Sequence, residues 1–237
     1  MKFKESIVLK IGGSLLYDDE LKLKRDMVTK IQIWVNSAMK KYNKIVLVIG
    51  GGKLSRFLGD QVKGMLQPGD QIHSVARAIT VANAEIIRLA LGTKNAGISY
   101  TLGSLYEKLF EDDVHCVVVG GMKDGWSTDM DAAVAADILD IDRVIKISDI
   151  DHIYTSDPRT NNQARVINDI SWDEYFKLFG ISNGHSQHKA NLHIPIDMMC
   201  SQYCANKGIN YLVTGGKNLE GNAEIKDALM LGTFVHI

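Results

Sequence analysis

A lysine closes the first apolar run of the sequence. In "SIVLKIGGSLL" (6–16), Lys10 follows Ile7, Val8 and Leu9 and leads through Ile11 into Gly12, Gly13 and Ser14. Two more glycine groups end apolar runs. Gly50-Gly51-Gly52 follows "KIVLVI", with Lys53 and Arg56 just beyond, and Gly120-Gly121 follows "HCVVV". Glycine lets backbone N–H groups approach a ligand closely. Consecutive N–H groups at a loop or helix start form an anion site. One such cluster is also what a tight strand-to-helix turn requires. Three clusters, two of them beside cations, favour phosphate. The chemistry that fits is phosphoryl transfer, which asks for positioning and charge neutralisation rather than a covalent intermediate. Lys10, a compact point charge, would neutralise a phosphoryl group in transit. The plainer alternative is a lysine snorkelling from a strand end.

These residues need a scaffold that gathers loops at one end. Strand-like runs occur at 6–11, 44–50, 96–102, 115–121, 143–148, 209–215 and 233–237. Helical patterns fall between them at about 20–41, 53–63, 71–91, 127–139, 171–179, 196–207 and 223–230. This alternation predicts an α/β fold with a central, mostly parallel sheet covered on both faces, whose ligands collect at the strands' carboxyl ends. The polar stretch 155–169 and the stretch 180–194 read as long loops.

Neither G-x-x-x-x-G-K-[ST] nor G-x-G-x-x-G is present. Instead, "LKIGGSLL", "VIGGGKLSRFLGD" and "STDMDAAVAADILDIDRVIKISDIDHIYTSDPR" resemble the amino acid kinase family, in its uridylate kinase-like branch. The resemblance runs over nearly the whole chain. It implies a three-layer sandwich forming a single domain, 1–237, with an acceptor-binding lobe at about 1–140 and a nucleotide-binding lobe at about 141–237. It also implies ATP as donor, Mg²⁺ held mostly by phosphates and water, and a UMP-like anionic acceptor. By the same resemblance Lys10 and Asp129 are catalytic. Gly12, Gly13, Ser14, Gly52, Arg56, Ser148, Tyr154 and Asp157 contact the donor. Gly51, His73, Gly121, Trp126, Ser127 and Thr128 face the acceptor. Relatives are commonly hexamers, so a homo-oligomer is expected.

The departures from that pattern cluster on the acceptor side. His73 stands where a ribose-binding aspartate is expected, and Ala76 where a glycine is expected, although Asn83 is retained. Met122, Asp124 and Trp126 alter the loop 120–129, and His152 replaces a glycine in the donor segment. A different small phosphate or carboxylate acceptor is therefore the nearest alternative. "QARVINDISWDEY" and "IPIDMMCSQYC" are also similar to the molybdenum storage protein, which keeps open ATP-dependent oxyanion binding without turnover.

Composition excludes other classes. The 237 residues carry 27 Lys and Arg against 28 Asp and Glu, a formal charge of −1. That balance gives no reason to expect a nucleic-acid or membrane partner. No apolar run approaches the roughly 20 residues that span a bilayer. The start "MKFKESIVLK" turns strand-like too soon for a signal peptide. Three scattered cysteines, Cys116, Cys200 and Cys204, suit a reducing compartment, so a cytoplasmic protein is expected. His185, His188 and His193 read as incidental loop histidines, and Cys200 and Cys204 as core.

Overall fold

β-branched runs ending in glycine build the centre of the molecule. The computed structural model describes residues 5–66, 70–182, 185–186, 194–219 and 231–237. The first five strands are β1 (Ile7–Ile11), β2 (Ile45–Ile49), β3 (Ala96–Ser99), β4 (Cys116–Val119) and β5 (Arg143–Ser148). Short strands follow: β6 (Ile153–Tyr154), β7 (Val166–Ile167), β8 (Asp169–Ser171), β9 (Ile181–Ser182) and β10 (His185–Ser186). β11 (Asn210–Gly215) and β12 (Gly232–His236) complete the set. Eight of them form one sheet in the order β3-β4-β2-β1-β5-β11-β12-β8. Every pairing in that sheet is parallel except β11 with β12. The expected mostly parallel α/β sandwich is therefore the fold.

β1 and β2 are buried along their whole length, as central strands covered on both faces must be. Alternation along them feeds two cores. Leu9, Ile11, Leu47 and Ile49 face α1 (Arg25–Ala38) and α3 (Asp70–Leu91). Val8, Val46 and Val48 face α4 (Leu102–Phe110), α5 (Thr128–Leu139), α6 (Trp172–Phe179) and α7 (Met198–Lys207). The buried alanines 132, 133, 135 and 136 keep α5 slim enough to lie against the sheet. α2 (Gly52–Gln61) packs on α3.

Local hydrogen bonding moved several boundaries. The helix expected from residue 20 begins at Arg25, because Tyr17 bridges to Leu23 and the Asp18 carboxylate caps the turn at Glu20 and Lys22. The strand expected over 96–102 stops at Ser99. Thr101 caps α4 there by accepting from the Ser104 N–H, and α4 was absent from the sequence-based expectation. The stretch 155–169 is not wholly loop, since β7 returns to pair with β6 and β8 joins the main sheet. The stretch 180–194 carries the β9–β10 hairpin. The helix expected at 223–230 and the side chains of His185, His188 and His193 lie outside the described residues.

The glycine loops touch each other. A Cβ on Gly13 would collide with the Gly50 carbonyl, and a Cβ on Gly52 would collide with the Gly13 backbone. Gly52 also sits at φ +63°, a conformation that L side chains rarely adopt. Gly52→Ala should therefore destabilise the protein by about 2–4 kcal/mol, combining backbone strain with overpacking. The shift of the urea midpoint at unchanged m-value measures it. A loss below about 0.5 kcal/mol would contradict this close packing.

Candidate active site

β1 and β5 carry matching patterns, Val8-Leu9-Lys10-Ile11 and Val144-Ile145-Lys146-Ile147. Their register sets Lys10 opposite Lys146, so both side chains leave the same face of the sheet. The face is the one that α5 covers, and α5 presents Asp129 in its first turn. Lys10 Nζ stands 3.2 Å from Asp129 Oδ1, and Lys146 Nζ donates to Asp129 Oδ2 at 2.6 Å. The Oδ1 contact is an ion pair without good hydrogen-bond geometry, which leaves that oxygen partly unsatisfied. Lys146 also donates to the Pro195 carbonyl. Lys10, Asp129 and Lys146 are 8%, 7% and 7% exposed.

Two buried ammonium groups thus share one carboxylate. Burial works against ionisation of Asp129, but Lys10 and Lys146 outweigh it and hold the carboxyl below its ordinary range. Burial lowers the Lys10 pKa, and the like charge of Lys146 adds to this despite Asp129. With both lysines protonated, the trio carries one positive charge in excess. A further anion placed there would complete it.

Sequence reasoning missed Lys146. The repeated pattern, a lysine third in the otherwise apolar quartets 8–11 and 144–147, was the signal that could have found it. Tyr211 was also missed; its hydroxyl donates to the Asp129 backbone carbonyl at 2.7 Å and fixes the start of α5.

Gly12 donates to the Ile147 carbonyl. The amides of Gly13 and Ser14, at the start of a 3₁₀ turn, have no acceptor among the described residues. The same holds for Gly52 and Lys53 at the start of α2. These donors, with the helix dipole of α2, make an edge whose chemistry suits an anion. Gly51 precedes α2 and lies against Ser55. Arg56 is exposed on α2 with no partner among the described residues. Asn83 braces the loop, donating to the Gly50 carbonyl at 2.9 Å while accepting from the Tyr17 hydroxyl at 2.6 Å.

A cleft of about 670 Å³ opens beside this edge. Ser14, Ser148 and Tyr154 line it, with Lys24, Lys53 and Lys217. Lys53 pairs with Asp19 at its rim. Tyr154 donates to Asp151 at 2.8 Å, and Asp151 also holds Lys217 at 2.8 Å. Lys217 is the main reason that the Asp151 carboxyl lies well below its ordinary range. Asp157 borders a separate, smaller hollow, and its carboxylate accepts from the Arg159 guanidinium at 3.0 and 3.1 Å.

The loop 120–127 is clasped from α3. Thr80 Oγ1 accepts the Gly121 N–H at 2.7 Å, and Arg77 donates to the Gly121 carbonyl at 2.8 Å. Ser74 donates to Asp124 at 3.2 Å. A Cβ on Gly120 would lie 2.7 Å from Val81 Cα, so this glycine pair serves the close approach of α3. Both backbone groups of Gly121 are engaged within the protein. Trp126 is half-buried under the Lys123 ammonium, 5.1 Å from its ring centre. Ser127 caps α5 by accepting from the Met130 N–H, and it donates to Asp197, the cap of α7. Thr128 begins α5 close to Gly50. His73 is exposed near the start of α3.

The sequence profile of the amino acid kinase family matches residues 5–215. The chain belongs to the amino acid kinase family. Among curated relatives, it is 29% identical to a uridylate kinase of Thermofilum pendens over 180 residues, 73% of this chain and 74% of that one. It is 24% identical to the uridylate kinase of Archaeoglobus fulgidus over 212 residues, 88% and 90% of the two chains. The crystal structure of UMP kinase from Bacillus anthracis superposes with a TM-score of 0.77 at 16% identity, covering 98% of this chain and 96% of that one. That last likeness concerns the fold.

Two outcomes follow for stability. Asp129→Asn leaves two buried lysines without a counter-charge and should cost about 3–5 kcal/mol, read from urea midpoints. Asp131, fully buried two residues on, behaves in the opposite sense to Asp129. Burial first, with Asp129 and Asp197 adding, raises its pKa to about 7, against the Met122 amide and Arg77. The folded protein then holds this proton more tightly than the unfolded chain. Its contribution to stability is complete below the unfolded carboxyl pKa and is lost as pH rises through about 7. The loss should reach up to about 4 kcal/mol. Urea midpoints from pH 5 to about pH 8 should fall more steeply for the wild type than for Asp131→Asn. Parallel curves would show that Asp131 does not carry the effect.

Proposed function

We propose that this member of the amino acid kinase family transfers the γ-phosphoryl group of ATP to UMP, yielding ADP and UDP. The observation that carries the reading is the buried Lys10–Asp129–Lys146 trio with its excess positive charge, adjoining strand ends whose loops hold unpaired amides. The names of the most similar relatives, uridylate kinases, support the choice of acceptor.

In this reading an oxygen of the UMP phosphate attacks the γ-phosphorus as the bond to the ADP oxygen breaks. The attacking oxygen is already anionic, so no general base is needed. Asp129 is unsuited to be one, because two lysines lower its pKa and make it a weak base; it orients them instead. Lys10 and Lys146 neutralise charge on the transferred group and the leaving oxygen. Gly12, Gly13, Ser14 and Gly52 supply amides or close approach for the donor phosphates, with Arg56 at the mouth. Ser148 and Tyr154 shape the cleft for the nucleoside, and Asp157 fixes the turn beside it. Gly51, His73, Gly121, Trp126, Ser127 and Thr128 bound the acceptor side. Among the described residues no group of three or more His, Cys, Asp or Glu side chains is placed to hold a metal ion. Mg²⁺ enters with the nucleotide as part of the substrate complex, held mostly by phosphates and water. A cytoplasmic homo-oligomer remains part of the proposal.

Lys10→Ala should lower kcat by roughly 10²-fold or more while ATP binding, measured by calorimetry, persists. Lys146→Ala should do the same. Unchanged turnover in both variants would remove the trio from the mechanism. Asp157→Ala should weaken ATP binding and leave the fold intact; unaltered affinity would place the donor elsewhere. ADP release with UMP, compared with other phosphate and carboxylate acceptors, tests the substrate. Absence of UMP-dependent ADP release would overturn the acceptor assignment.

A further inference from the structure

Asp131 has no part in the chemistry described so far. It lies in the first turn of α5 with no exposed surface. Its Oδ2 accepts the Met122 N–H at 3.3 Å, and its Oδ1 has no partner. A buried carboxyl with an unmet oxygen costs stability and calls for a physical reason. The place is telling. Met122 directly follows Gly121, the residue whose N–H and carbonyl α3 clasps through Thr80 and Arg77. The loop is therefore held from α3 at Gly121 and from α5 at Met122.

We propose that Asp131 is a positioning residue that sets the acceptor-side loop and takes up one proton when an anionic acceptor binds, an inference that rests on the phosphoryl-transfer reading above. The charged groups facing Asp131 are Asp129 on its own helix, Asp197 at the start of α7 and Arg77 on α3. Ionised, Asp131 adds a negative charge to Asp129 and Asp197 behind a loop that must receive a phosphate. Neutral, it keeps its shape under Met122 without that charge. Each anion brought to the loop favours the protonated form. By linkage, protonation favours the anion by the same factor. The buried position makes the coupling stronger than it would be in water. Its raised pKa near neutrality supports a proton exchange in the working range.

The test compares wild type with Asp131→Asn, which retains an oxygen for the Met122 amide but cannot ionise. KM for UMP is measured from about pH 7 to about pH 9, where the nucleotide phosphate, with its second pKa near 6, is already a dianion. The wild-type KM should rise roughly fivefold or more across this range, and the variant's KM should stay near the wild-type value at the low end. Calorimetry of UMP binding in buffers of different ionisation enthalpy should show net proton uptake by the wild type at about pH 7.5, and none by the variant. Superimposable KM profiles, or no uptake by a wild type that turns UMP over, would overturn the inference. If the variant fails to fold, the wild-type uptake and the titration of the Met122 amide in nuclear magnetic resonance decide alone. Without UMP turnover at any pH the acceptor assignment fails instead, and the Met122 titration still tests whether Asp131 exchanges a proton under the loop.

Discussion

Lys10 and Lys146 share a single carboxylate because the sheet gives them no alternative. Their strands are parallel neighbours, their register is fixed by flanking apolar pairs, and a shift of one residue in either strand would turn its lysine away from α5 and into the opposite core. The same register that builds the core therefore drives two ammonium groups together. Asp129 makes this tolerable without making it neutral. Tyr211, reaching from β11 to the Asp129 carbonyl, fixes the backbone from which the carboxylate projects. Pro195 offers Lys146 a second oxygen. The site is thus assembled from β1, β5, β11, α5 and the approach to α7, all of which must fold before the charges are balanced even in part.

The glycines do two kinds of work, and the structure separates them. Gly13 and Gly52 let two strand-end loops press backbone to backbone, and Gly120 and Gly121 let α3 lie against the end of β4. Those are packing demands. The amides left over at the 3₁₀ turn and at the start of α2 are the part that suits an anion. Close packing and anion binding are not rivals here. Loops locked together by contact hold their donors in a fixed relation, which is what recognition of a phosphate chain requires.

Much of this was legible from residue order. Lys10 with its glycines, and the Thr128-Asp129 pair opening an alanine-rich helix, marked the centre, and periodicity located the central strands. Other parts were hidden for physical reasons. Lys146 looked like an ordinary charge inside a buried run until β1 and β5 were set side by side. α4 was masked because "GISY" runs on into "TLGSLYEKLF" without a break in hydrophobicity; the Thr101–Ser104 cap was the available signal. Asp131 resembled any acid near a helix start, where acids favour the dipole. Only burial distinguishes it. The clasp of Arg77 and Thr80 on Gly121 depends on α3 crossing over β4, a contact between residues about 40 apart in sequence that no local pattern announces.

The three tryptophans are distributed in a way that has an optical consequence. Trp34 and Trp172 are sunk in the two cores, at 6% and 2% exposure, while Trp126 lies half-buried in the loop 120–127 beneath an ammonium group. Indoles in apolar interiors and an indole at the solvent boundary emit in different parts of the spectrum. The molecule therefore carries one native fluorophore in a partly exposed loop that α3 clasps, and two internal references that stay out of reach of solvent.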